Sequence, residues 1–119
     1  MTGSTQVQCA LTLQALRAAS LIVSSKWKLP IMVALMSGVR HFRGLERSIP
    51  GISTKVLAKE LKELEAHQLI ARTVTPGPPV VVDYQALPYA HSLDPVIAVL
   101  KQWGIEHQQR LMAMDTLSE

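Results

Sequence analysis

The sequence predicts a mainly helical chain with one small β-hairpin, an α+β arrangement, on three observations. Apolar residues recur at helical spacing along most of its 119 residues, and at roughly 100° per residue Leu57, Leu61 and Leu64 share one face. Two runs of mixed β-branched and polar residues, 69–75 and 80–84, flank Pro76-Gly77-Pro78-Pro79, a turn that favours a hairpin with a stiff tip. Immediately before them stand a short amphipathic helix, the turn Pro50-Gly51-Ile52 and a second helix. Helix, turn, helix and hairpin in that order predict a winged helix-turn-helix, flanked by N- and C-terminal helices.

A chain of this length holds one domain with a modest core, or one such domain plus helices that finish their burial against a partner subunit. Apolar residues make up 48% and charged residues 18%, so some apolar surface is available for an interface. The net charge of +3 is compatible with nucleic acid. Its distribution says more, because Arg17, Lys26, Lys28, Arg40 and Arg43 all precede the first acidic residue, Glu46. The single cysteine, Cys9, excludes an internal disulfide framework and fits a reducing cytoplasm. The start lacks the charged-then-apolar pattern of a secretory signal, and the most apolar run, 29–39, is too short to span a bilayer. A soluble, cytoplasmic protein is expected.

In chain order, residues 1–8 are expected to be a flexible N-terminus, residues 9–114 a single domain, and residues 115–119 a flexible C-terminus. Residues 10–24 form a first helix with a broad apolar side that includes Leu11, Leu13, Leu16 and Ile22. Ser24 and Ser25 end it or cap the next element. A second helix covers 29–36 and stops at Ser37-Gly38. Pro30 belongs in its first turn, since proline in a helix interior costs about 3 kcal/mol. Val39-Arg40-His41 reads as a short strand before a helix over 42–49. Pro50 and Gly51 break that helix, and Ser53 caps the next, over 54–67. After the hairpin, Leu93, Val96, Ile97, Leu100, Trp103, Leu111 and Met114 recur at helical spacing over 93–114, with Gly104 as an interruption.

Opposite the leucine face of the 54–67 helix, Lys55, Lys59 and Lys62 form a basic stripe. Lys55 with Lys59, and Arg43 with Arg47 on the preceding helix, are like-charge pairs four residues apart, each destabilising an isolated helix by about 0.2–0.5 kcal/mol. A polyanion reverses that sign, and duplex DNA presents phosphates along both groove walls. A solvated face kept polar for solubility is the competing explanation, and the order of elements favours the first. His41, His67, His91 and His107 are too scattered for a metal site. With no phosphate loop, nucleophile elbow or paired-carboxylate motif, no catalytic residue, metal or cofactor is expected, and an enzyme is not.

The runs Lys26-Trp27, Arg40-His41-Phe42-Arg43-Gly44-Leu45, Ile49-Pro50-Gly51-Ile52-Ser53, Leu64-Glu65, Leu69-Ile70-Ala71-Arg72-Thr73 and Pro79-Val80-Val81-Val82-Asp83-Tyr84 resemble the HxlR-type winged helix-turn-helix family of bacterial transcriptional regulators. The resemblance spans about residues 25–107. It implies a homodimer that binds inverted repeats in double-stranded DNA at promoters, with repression the expected outcome. The helix opened by Ser53 would then enter the major groove, with Thr54, Lys55 and Lys59 nearest base edges and Lys62 nearer a phosphate. Arg43 and Arg47 would hold phosphates, and Arg72, Thr73 and Thr75 would place donors on the wing. The uncharged wing tip would position the protein and add little base specificity.

Two-fold pairing on a pseudo-palindrome is the expected route to useful affinity. Leu93, Ile97, Leu100 and Trp103, helped by Leu13 and Leu16, are the candidate dimer interface, although some of them must belong to the chain's own core. Some family members sense oxidants through a cysteine just ahead of the first helix, and Cys9 lies in roughly that region. Its gap to Trp27 is longer than usual and its neighbours supply no charge to activate the thiol, so packing is the competing role. After the wing the family's usual cap is replaced by Leu87-Pro88, so that Pro88 becomes the first helical residue or the helix begins only at Ser92. Two alternative functions fit the same residues: a protein-interaction module on a winged scaffold, and a regulator that senses a redox signal or small ligand.

Overall fold

The computed structural model describes the backbone of residues 2–118 and the side chains of residues 5–117. Helix α1 spans Thr2–Val23, α2 Lys28–Met36, α3 Phe42–Ser48 and α4 Thr54–Ala66. Strands β1, Ile70–Thr75, and β2, Val81–Ala86, pair as an antiparallel hairpin, and a 3₁₀ turn over Pro88–Leu93 leads into α5, Asp94–Ser118. The mainly helical fold with a β-hairpin wing is as the sequence predicts.

The middle of the chain supplies the core. Ile31, Met32 and Leu35 of α2, Leu45 of α3, Leu57, Leu61 and Leu64 of α4, and Leu69 and Ile70 at the hairpin base are buried together. Each such side chain contributes about 1.5–3 kcal/mol, so the three leucines of α4 outweigh the few tenths of a kcal/mol lost to lysine repulsion on its outer face.

Local chemistry sets the helix ends. Ser25 Oγ accepts the backbone N–H groups of Trp27 and Lys28, both at 3.2 Å, where α2 begins. Gly38, at φ 105°, closes α2 with the Gly38 N–H bonded to the Leu35 carbonyl and the Val39 N–H to the Ala34 carbonyl, both at 3.1 Å. Ser53 Oγ accepts the Val56 N–H at 3.1 Å, capping α4 as expected. At the other end of α4 the left-handed position falls to Gln68, φ 61°, and the Leu69 N–H bonds the Leu64 carbonyl at 3.1 Å.

Four expectations need correction. Helix α1 begins at Thr2, well ahead of residue 10, and α5 ends at Ser118, past residue 114; Met1 and Glu119 lie outside the described residues. The polar residues among 2–8 each weaken a helix only slightly, Gly3 costs about 1 kcal/mol, and no proline stops this helix. Residues 39–41 form no strand, but Tyr84 of β2 donates its backbone N–H to the Arg40 carbonyl at 2.8 Å, which ties that segment to the wing. Helix α5 runs through Gly104 without a break, because one glycine costs only about 1 kcal/mol in a long helix. After the wing Pro88 opens a 3₁₀ turn, as the first alternative expects, whereas Ser92 lies inside that turn and the α-helix begins only at Asp94.

The terminal helices project from this core. Residues 5–21 of α1 are exposed, and so are residues 94–117 of α5 except Ile97 and Gly104. The radius of gyration is 18.5 Å, whereas a compact chain of this length would have roughly 13.5 Å.

Candidate nucleic-acid interface

The 3.6-residue period divides α4 into three strips. Leu57, Leu61 and Leu64 face the core, and Lys55, Lys59 and Lys62 are exposed on the outer face with the small residues Ala58 and Ala66 among them. Glu60 and Glu63 occupy the flank beside α2, where Lys28 bridges them. Lys59 is 69% exposed and lies 4.0 Å from Glu63, at the limit of an ion pair.

The start of α4 is anchored to α3. Thr54 donates its hydroxyl to Glu46 Oε2 at 2.8 Å, so the hydroxyl expected near base edges keeps only its acceptor lone pairs for an incoming group. The Ser53 oxygen is engaged by its own helix cap. Arg43 and Arg47 are exposed and form a ridge between two shallow grooves. Phe42, Glu46, Ile52 and Thr54 complete the first, and Gly38, Arg40, His41 and Gly44 help complete the second.

Arg40, exposed in that second groove, is the residue sequence reasoning missed as a candidate contact. The signal lies in the spacing of Arg40, Arg43 and Arg47, at 0, 3 and 7, which the strand expected over Val39-Arg40-His41 hides. Its backbone bond to Tyr84 holds it between α3 and the wing. His41 extends the same link, with Nδ1 3.4 Å from Asp83 Oδ1 of β2.

On the wing the register separates Arg72 from Thr73 and Thr75. Arg72 is opposite Tyr84 and Thr73 opposite Asp83, so strand alternation puts Arg72 on one face and Thr73 and Thr75 on the other. All three are exposed. Asp83 shares the threonine face, so the cationic side of the wing is that of Arg72.

Residues 22–112 match the sequence profile described as HxlR-like helix-turn-helix. The chain belongs to the HxlR-like helix-turn-helix family. It is a DNA-binding transcriptional regulator of the helix-turn-helix class, and the resemblance carried by the Ile-Pro-Gly-Ile-Ser turn and its neighbours is confirmed. The uncharacterized HTH-type transcriptional regulator YtcD of Bacillus subtilis strain 168 is 35% identical over 97 residues, covering 82% of this chain and 76% of that protein. A crystal structure of an HTH-type transcriptional regulator ytcD superposes with a TM-score of 0.74 at 33% identity, covering 79% of this chain and 96% of that one. The redox regulator HypR in its reduced form gives a TM-score of 0.75 at 25% identity, over 83% of this chain and 98% of that one.

In this HxlR-like chain the candidate interface residues fall into two groups. Leu93 packs against the chain's own core, and Ile97 and Leu100 line an apolar cleft beside α2. Leu13, Leu16 and Trp103 are 53%, 58% and 62% exposed, uncovered by this chain. The Trp103 ring stacks on His107 with centroids 4.7 Å apart. Cys9 lies within α1, not ahead of it, and is exposed, so it does not pack inside this chain. Among the described residues no group of three or more metal-ligating side chains converges, and no single helix is long and apolar enough to cross a membrane.

The Lys28–Glu60–Glu63 cluster also escaped sequence reasoning. Burial pulls the Lys28 pKa down, but the hydrogen-bonded carboxylates of Glu60 and Glu63 outweigh it and hold the ammonium above the ordinary lysine range. Glu63 is held below the usual carboxylate range, chiefly by its hydrogen bond from Lys28.

Proposed function

We propose that this regulator is a cytoplasmic homodimeric repressor, not an enzyme, that binds a pseudo-palindromic operator with α4 of each protomer in the major groove. The observation that carries the reading is the exposed Lys55–Lys59–Lys62 face of α4, set opposite a fully buried leucine face. Thr54, Lys55 and Lys59 would approach base edges and Lys62 a phosphate, while Arg43, Arg47 and Arg40 would grip the backbone beside α3. Arg72 would bring the wing to the adjacent backbone, and Thr73 and Thr75 would contribute less because Asp83 shares their face.

Dimerisation through α1 and α5 is supported by their exposed apolar side chains, which include Leu16 and Trp103. Large apolar side chains left exposed along both terminal helices are of the kind that a partner surface covers. On an operator that overlaps the polymerase site, a bound dimer would exclude polymerase, which is how DNA binding alone would repress.

Selection of bound sequences from a random duplex pool tests the reading. Enrichment of an inverted repeat with half-sites about 34–36 Å apart, or a multiple of that, is expected. A pool that stays random would favour a protein-interaction role for the same fold. A second reading, ligand sensing, is favoured by the apolar cleft of about 750 Å³ between α2, the α3–α4 turn and α5, a size that suits a small molecule. DNA affinity that changes with an added apolar compound would support it.

A further inference from the structure

Counted by itself, α4 is electrically neutral: Lys55, Lys59 and Lys62 are balanced by Glu60, Glu63 and Glu65. A neutral helix gains little from a polyanion unless its charges are segregated. Two of the three carboxylates, Glu60 and Glu63, are drawn to the α2 flank by one cation from another element, Lys28.

Glu63 has two lysines within reach. It accepts a hydrogen bond from Lys28, whose side chain is 6% exposed, and lies 4.0 Å from Lys59, which is 69% exposed. The two lysines meet different carboxylate oxygens, Oε2 and Oε1, and because Coulomb attraction is stronger at short range and away from bulk water, the closer and more buried Lys28 sets where the carboxylate sits. Without it, Glu63 and Lys59 form an ordinary pair four residues apart on one helix, a favourable arrangement, and Lys59 is lost to the nucleic acid.

We infer that Lys28 is a positioning residue for DNA binding: by holding Glu63 against α2 it keeps the Glu63–Lys59 contact no tighter than 4.0 Å and leaves the Lys59 ammonium largely exposed on the outer face of α4. The inference rests on the assignment of the α4 lysines to DNA. Lys28 itself never touches the duplex.

The test is a duplex titration at several salt concentrations with Lys28→Met combined with Glu60→Met, which removes both ends of the buried pair together. Affinity should fall about threefold to tenfold and the salt slope by about 0.9, the value of one phosphate contact. Adding Glu63→Gln should restore both. An affinity that does not fall, or that falls and is not rescued by Glu63→Gln, overturns the inference.

Lys59→Ala separates this inference from the reading beneath it. If Lys59→Ala leaves affinity and slope unchanged, the DNA assignment of α4 fails; if it weakens binding while the Lys28 variants do not, only the role of Lys28 fails. Should the double variant not fold, Glu63→Gln alone in the otherwise native chain decides. Because Glu63 is already held by Lys28, affinity should stay within about twofold, and a several-fold rise with a steeper salt slope would show that Glu63 had been pairing with Lys59.

Discussion

The Lys28 ammonium meets the Glu60 carboxylate at 2.5 Å inside the domain, with side chains only 6% and 9% exposed, and this pair joins the first core helix to the helix that carries the lysine stripe. Ser25 adds a longer contact, its Oγ lying 3.4 Å from the same Glu60 oxygen. A buried pair of this kind is costly to halve and cheap to replace, since a lone buried charge loses its compensation whereas two apolar side chains need none.

Lys28→Met should therefore destabilise the domain by about 3–5 kcal/mol, while Lys28→Met with Glu60→Met should lie within about 1 kcal/mol of the native chain or above it. Urea midpoints of the two variants check this. Equal losses in both would mean that the pair stabilises the fold on balance.

Glu63 gives the acid limb of stability a specific origin. Its folded pKa lies below the ordinary value of 4.5 because Lys28 bonds its charged form, so its contribution is complete above that pH and disappears as the pH falls through the folded value. Lys28, raised above 10.5 in the folded state, contributes fully below that pH and loses its contribution only as the pH rises through the folded value. Urea midpoints from pH 6 downward should fall less steeply for Glu63→Gln than for the native chain; parallel curves would contradict the assignment.

The leucine face, the Ser53 cap and the Ser37-Gly38 stop were legible because each is a local signal: a 3.6-residue period, one side-chain oxygen, one backbone conformation. Lys28 and Glu60 were not, because a charged residue reads as surface until the element that neutralises it is known, and here 32 residues separate the two. The opposite wing faces of Arg72 and Thr73 follow from strand alternation alone, so the sequence carries them. Which apolar residues of the last helix serve the core was not, since Leu93 and Trp103 share a periodicity and differ only in what lies beside them.

Gln68 occupies a left-handed position, φ 61°, at the C-terminal turn of α4. That conformation costs a residue with a Cβ more than it costs glycine, so Gln68→Gly should raise stability by about 0.5–1 kcal/mol despite glycine's greater freedom in the unfolded chain. Thermal unfolding of the two proteins is the check. A loss of stability would show that the Gln68 side chain makes a contribution larger than the strain.

Trp103 is 62% exposed on α5 and stacked on His107. If α5 pairs with a second copy, Trp103→Ala should weaken the dimer by about 2 kcal/mol or more, as truncation of a central aromatic anchor does. Sedimentation equilibrium of native and variant protein measures this, and a native chain that sediments as a monomer at micromolar concentration would contradict the pairing.

The most direct measurement is of where α4 lies on DNA. With Cys9→Ser to remove the native thiol, Ala66→Cys places a single thiol at the exposed end of the lysine face, away from the base-reading end, and an iron chelate attached there cleaves whatever backbone is near. On an operator recovered by selection, two clusters of cuts are predicted, one in each half-site and about 34–36 Å or a multiple apart. Cleavage spread evenly along the duplex, or none above that of free chelate, would place the lysine face of α4 away from the groove and contradict its role in recognition.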